Sequence, residues 1–243
     1  MIRLCILGNS HVAALKTGAD PVLARNPDLR LGFFAARSDK TRAMAVEGMT
    51  YRPQTRALAD QFALTSGGLR DINPAEWDAY LIYGYGSRRR SGDFAHGLSR
   101  DFREALFTAR LRDSLLAQHL DALRGLSDAP LFAALTPLEL EGPRRARLLA
   151  HSAEVALAQA QLCDGFGAQL IAQPEASRLR DRFTHPEYGQ AAPRLADAAG
   201  QRCPVHEAGD YRHMNAAYGA LWLRAFLPVL RGSLSGGRVR QVR

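Results

Sequence analysis

The sequence predicts an α/β fold in which five strands alternate with helices in one doubly wound parallel layer. Three observations carry this. Short apolar runs rich in β-forming residues recur at 2–7, 30–36, 79–83, 130–135 and 168–173, most of them closed by glycine or proline. Stretches with helical spacing of apolar residues separate them, which is the pattern of βαβ units. The length of 243 residues and the 47% hydrophobic content suit a domain with a substantial core. The expected organisation is one domain over 1–231, with added structure around 37–76, and a flexible basic tail over 232–243.

Each element has its own signal. Residues 2–7 form a buried strand stopped by Gly8-Asn9. A helix follows from His11 towards Arg25, carried by Val12, Leu15, Ala19, Val22 and Leu23, with Gly18 and Pro21 obscuring its end. The second strand holds Leu31, Phe33 and Phe34. Residues 37–76 include Gly48, Pro53 and Gly67-Gly68. A hairpin around 51–63 is expected there, because a structureless loop of that length is unusual in a compact domain. The third strand follows a turn at Asn73-Pro74 and runs into the basic loop Gly84-Tyr85-Gly86-Ser87-Arg88-Arg89-Arg90.

Phe102, Leu106, Leu115, Leu116, Leu120 and Leu123 predict one helix over 102–123. The fourth strand ends at Thr136-Pro137. Pro143 then suits the first turn of a helix running to about Asp164, with its stop at Gly165 to Gly167. After the fifth strand the chain is polar and irregular, with a helix expected near 193–201. The last helix, 214–230, offers Met214, Ala217, Leu221, Phe226 and Leu230 to the sheet.

A net charge of +8 suits an anionic small molecule, an acidic partner or nucleic acid. A solvated arginine-rich surface is the plainer explanation. No zinc-finger, RNA-recognition or basic-zipper pattern accompanies the charge, so no nucleic-acid partner is expected. Cys5, Cys163 and Cys203 are too few and too scattered for a disulfide framework. The N-terminal residues lack the features of a signal peptide, and no apolar run has the length of a membrane span, so the expected location is the cytoplasm. Gly84-Tyr85-Gly86 lacks the third glycine of a dinucleotide fingerprint, and Gly8 to Lys16 lacks the Gly-Lys-Ser/Thr of a P-loop. His11, His96, His119, His151, His185 and His206 form no metal-ligand spacing. Neither a cofactor nor a metal is expected.

The chemistry lies at the two ends of the chain. Asp210 and His213 are three residues apart, so on a helical turn they face the same side. Asp210 can then hold the Nδ1–H of His213 and leave Nε2 to take a proton. Ser10, where the first strand ends, would complete a set of nucleophile, base and orienter. Ser10 also has an ordinary reading as the N-cap of the next helix. His213 likewise reads as a surface histidine at a helix start, and His11 as packing in the first turn. In doubly wound sheets, ligands bind beyond the carboxyl ends of the strands, where the strand order reverses. In a 2-1-3-4-5 order that point lies between the first and third strands, whose loops carry Ser10 and Gly84-Tyr85-Gly86.

Gly8-Asn9-Ser10, directly after the first strand, resembles the first block of the SGNH (GDSL-type) hydrolases, with asparagine for the usual aspartate. Asp210-Tyr211-Arg212-His213, directly before the last helix, resembles their Asp-x-x-His block, and Asn215 and Gly219 extend the likeness. The resemblance implies a three-layer α/β/α, flavodoxin-like fold with a five-stranded parallel sheet. It also implies acyl transfer, usually ester hydrolysis, by Ser10, His213 and Asp210.

Two other blocks depart from the family pattern. The Gly-x-Asn-Asp block reads Gly84-Tyr85-Gly86-Ser87, and Arg37-Ser38-Asp39 stands where a glycine should follow the second strand. An oxyanion hole would draw on the N–H of Ser10 together with Ser38, Gly84 or Gly86, with Asn215 and Arg88 on the substrate side. Arg88, Arg89 and Arg90 would border the pocket and clamp an anionic group. The expectation is a serine esterase or acyltransferase acting on a small acyl ester or an O-acylated glycan. The alternative is a non-catalytic ligand-binding protein of the same fold, favoured by the missing asparagine.

Overall fold

In the computed structural model, the described residues are 1–86, 99–141, 149–196 and 205–240. The elements run β1 (Ile2–Gly8), α1 (Val12–Thr17), α2 (Asp20–Leu23), β2 (Leu29–Ala35), β3 (Met44–Glu47), β4 (Thr50–Pro53), α3 (Arg56–Ser66), β5 (Ala79–Tyr83), α4 (Arg100–Arg112), α5 (Leu115–Leu126), β6 (Leu131–Ala134), α6 (His151–Gln161), β7 (Ala168–Leu170), β8 (Arg178–Leu179), β9 (Phe183–Thr184) and α7 (Ala216–Arg240).

Five of the strands build a parallel sheet in the order β2-β1-β5-β6-β7. Strand residues alternate between its faces. Leu4 and Ile6 pack with Val12, Leu15, Val22, Trp222 and Phe226, so α1, α2 and α7 cover one face. Cys5 and Leu7 pack with Phe62, Leu111, Leu120 and Ala158, so α3 to α6 cover the other. The result is three layers, α/β/α, and the strand order reverses between β1 and β5.

Several elements differ from expectation, each for a local reason. The predicted helix 102–123 is two helices, because Ser114 takes an extended backbone and its Oγ caps α5 by accepting the Ala117 N–H at 3.3 Å. The hairpin lies earlier than 51–63: β3 and β4 pair antiparallel, and the chain from Arg56 is the crossover helix α3. Within 37–76 the additions to the sheet's repeating plan are the hairpin and the short turns around it, and β8 pairs with β9 in a second small antiparallel addition.

The expected tail from 232 continues α7 to Arg240. Arg231 anchors this part through Asp28, at 2.7 and 2.8 Å. Glycine costs a helix only about 1 kcal/mol, so Gly232 need not end it. Pro193 bridges Val205, and residues 194–196 are not helical; the rest of the helix expected at 193–201 lies outside the described residues. So do the start of the helix from Pro143, Ser87 to Arg90, His96 and Cys203. No helix among the described residues is long and apolar enough to cross a membrane.

Candidate active site

The site forms where β1 and β5 end. Gly8 closes β1 with no room for a side chain: a Cβ there would lie 2.5 Å from Val12 Cγ2. The turn that follows is held by Asn9. Its Oδ1 accepts the His11 N–H at 3.1 Å, and its Nδ2 donates to the Gly84 carbonyl, after β5, at 2.7 Å. The residue before α1 is His11, and no side chain caps the helix. Ser10 is therefore not used as a cap. Its Oγ lies 3.0 Å from Nε2 of His213, 203 residues away in sequence.

The other end of the chain is brought in by α7. Its first turns pack backbone to backbone on α1, with Gly18 against Ala216 and Gly219 against Ala14. Asn215 starts α7 by accepting the Tyr218 N–H at 3.1 Å. In the turn before it, Asp210 Oδ1 accepts the N–H groups of Arg212 at 2.7 Å and His213 at 3.2 Å. Asp210 Oδ2 lies 2.8 Å from His213 Nδ1. Burial pushes the Asp210 pKa up, but the Arg212 amide and the His213 ring and amide outweigh it and hold the carboxyl at about 2. Serine, imidazole and carboxylate thus form one hydrogen-bonded chain.

Two further histidines flank His213. His11 stacks on one face, with centroids 4.9 Å apart. His206 stacks on His213 with centroids 3.7 Å apart and planes 9° from parallel. His206 Nδ1 also lies 2.8 Å from Asp210 Oδ2. Burial, with the neighbouring His213, lowers the pKa of His11 to about 3 and that of His206 to about 4. In the sequence, His11 reads as packing and His206 as one of the histidines without metal-ligand spacing. The available signal was the spacing of His206, Asp210 and His213, which repeats near the helical period.

Donor atoms of His206, Asp210 and His213 lie within 4.8 Å of one another, close enough for a small cation. The ring planes argue against that fit. Imidazole binds a metal in its own plane, and two nearly parallel planes stacked at 3.7 Å leave no point common to both.

The remaining expected residues are placed as follows. Gly84 is no oxyanion donor, since its N–H donates to the Ala134 carbonyl at 3.0 Å. It serves instead as close support: a Cβ on it would lie 2.7 Å from Asn9 Oδ1 and 3.2 Å from His11 Cβ. Asn215 is structural, because its Nδ2 donates to the carbonyls of Glu187 at 2.8 Å and Gln190 at 3.2 Å while its Oδ1 caps α7. Ser38 is exposed on the loop after β2 and holds φ of +58°, a left-handed backbone usually left to glycine. Gly86 lies beside Thr136, beyond the end of β6. Arg88 is outside the described residues. A cleft of ≈ 400 Å³ opens on the Asp210 side, lined by Arg194, His206 and residues 207–212.

Sheet order and layers together define an α/β/α fold with Ser10 at the end of β1, the fold that the resemblance to SGNH hydrolases implies. No family model and no curated sequence matches the chain. Among solved structures it resembles the periplasmic domain of a lipopolysaccharide acetyltransferase from Salmonella ser. Paratyphi A, with a TM-score of 0.53 and 12% identity over 94% of this chain and 83% of that one. A family two carbohydrate esterase from Clostridium thermocellum, in complex with cellohexaose, aligns with a TM-score of 0.45 and 14% identity over 95% of this chain and 65% of that one.

Proposed function

We propose that this chain is a serine acyl hydrolase or acyltransferase of the SGNH type, acting on a small acyl ester with an O-acylated glycan as the substrate class. One observation carries the reading: the unbroken chain Ser10 Oγ, His213 Nε2, His213 Nδ1, Asp210 Oδ2, with links of 3.0 and 2.8 Å. Ser10 Oγ attacks the acyl carbon and passes its proton to His213 Nε2. The tetrahedral oxyanion collapses, and His213 gives the proton to the leaving alkoxide. Water then releases the acyl group from Ser10, or a second hydroxyl accepts it. Asp210 keeps the Nδ1–H tautomer and stabilises the imidazolium. The Ser10 N–H is one oxyanion donor in this reading, and Ser38 or Gly86 supplies the second. The choice of a glycan ester follows the lipopolysaccharide acetyltransferase domain, with which the chain shares a fold.

The test is labelling with a fluorophosphonate probe, which reports an activated serine without requiring the natural substrate. Wild type should label, and Ser10→Ala should not. A second reading, a glycan-binding protein without turnover, is favoured by the engaged Gly84 N–H and the missing asparagine after β5. Binding of an acetylated oligosaccharide with no labelling and no hydrolysis would select it.

A further inference from the structure

We propose that His206 is a positioning residue for His213: it stacks on one face of the base and, by occupying that face, holds the ring with Nε2 aimed at Ser10. This rests on the reading of His213 as the base. His206 is held independently of the site, since its N–H donates to the Ala192 carbonyl at 2.8 Å and the adjacent Val205 bridges Pro193. Its Nδ1 and that of His213 each lie 2.8 Å from Asp210 Oδ2. Its Nε2 is buried and has no hydrogen-bond partner among the described residues. The ring's orientation is therefore set by Asp210 and by the stack.

One consequence follows for the base. His213 packs against both His206 and His11, so its ring cannot turn about χ2 without displacing a neighbour. Nε2 thus stays aimed at Ser10, which is the orientation that proton transfer needs.

The charged groups around His206 are Asp210 and His213 in the site, with Arg194 and Arg37 facing it, and Glu207 paired with Arg194 at 3.6 Å. Arg212 acts on the His11 side. Burial, His213 and the two arginines lower the pKa of His206 to about 4, so the ring that stacks on His213 is neutral near pH 7.

Two variants test the stack. His206→Phe keeps an aromatic face, whereas His206→Ala removes it. The measurements are kcat and KM on an aryl acetate, with urea unfolding to report the fold. For His206→Phe, kcat should stay within about 2-fold of wild type. For His206→Ala, kcat should fall by about 10-fold or more with KM unchanged, because the ring is no longer held.

A wild-type kcat in both variants would overturn the proposal. So would an equal loss of activity in both, or a loss in His206→Ala that tracks the unfolded fraction, which is the mark of a purely structural residue. If wild type neither labels at Ser10 nor hydrolyses ester, the catalytic reading fails. The mobility of the His213 ring, read from its ring-proton relaxation, still decides whether His206 holds it: faster motion in His206→Ala alone supports the stack, and unchanged motion overturns it.

Discussion

Gly219 of α7 meets Ala14 of α1 with no space for a side chain, because a Cβ on Gly219 would overlap the Ala14 carbonyl. This contact sets how close His213, just before α7, comes to Ser10, just before α1. Gly219→Ala must push the helices apart, since the obstacle is backbone and cannot rotate away. The expected cost is about 1–3 kcal/mol in urea unfolding, with a loss of esterase rate larger than the unfolded fraction explains. Unchanged stability and rate would show that the helices separate without disturbing the site.

The triad should behave as a unit. Ser10→Ala and His213→Ala are each expected to lower hydrolysis of a short-chain aryl acetate by about 10³-fold or more, and the double variant should be little worse than either. Asp210→Asn keeps the fold but favours the wrong tautomer of His213, and should lose a comparable amount. Additive losses would mean that the three residues act separately.

Asn9 offers a test in which the substitution towards the family pattern does harm. Its Nδ2 donates to the Gly84 carbonyl at 2.7 Å. Asn9→Asp sets a carboxylate oxygen against that carbonyl and should cost about 1–3 kcal/mol of stability, together with part of kcat. A variant as stable and as active as wild type would show that the contact is dispensable.

Asn215→Ala distinguishes an anchoring residue from one that binds substrate. It removes the cap of α7 and two bonds to the 187–190 turn. Stability should drop by about 1–2 kcal/mol while KM stays constant. A raised KM with unchanged stability would return Asn215 to the substrate side.

The buried histidines predict an acid-sensitive fold. His119, wholly buried and bonded to Tyr51 and Thr41, is held by burial at about 3, as is His11, against an ordinary 6.5. Unfolded chains take up those protons first as pH falls, so stability is full above 6.5 and declines towards 3. Asp210 acts in a lower window. Its folded pKa of about 2 lies below the ordinary 3.8, so its contribution is present above 3.8 and lost as pH falls through 2. With His206, held at about 4, urea midpoints against pH should show an uptake of at most about three protons on unfolding near pH 5. A flat profile from pH 7 to 4 would mean that none of the three histidines is neutral in the fold.

What was legible in the sequence is what local pattern encodes. Buried parallel strands read as continuous apolar runs, and so 79–83 was placed at the bounds of β5. The Asp210 and His213 pair was visible because its geometry is completed within one turn of backbone. Only the tertiary structure decided the rest. Ser10 reaches His213 across 203 residues through glycine contacts between α1 and α7, and nothing within either segment encodes that approach. Gly84 looked like a donor until the neighbouring strand end took its N–H, and Asn215 looked like a substrate contact until the 187–190 turn took its amide. His206 gained its place by stacking, which depends on where the 205–206 segment is tied to 192–193. Periodicity reports which face of an element is apolar, whereas hydrogen-bond partners and close approaches are set between elements, after the sheet has fixed their distances.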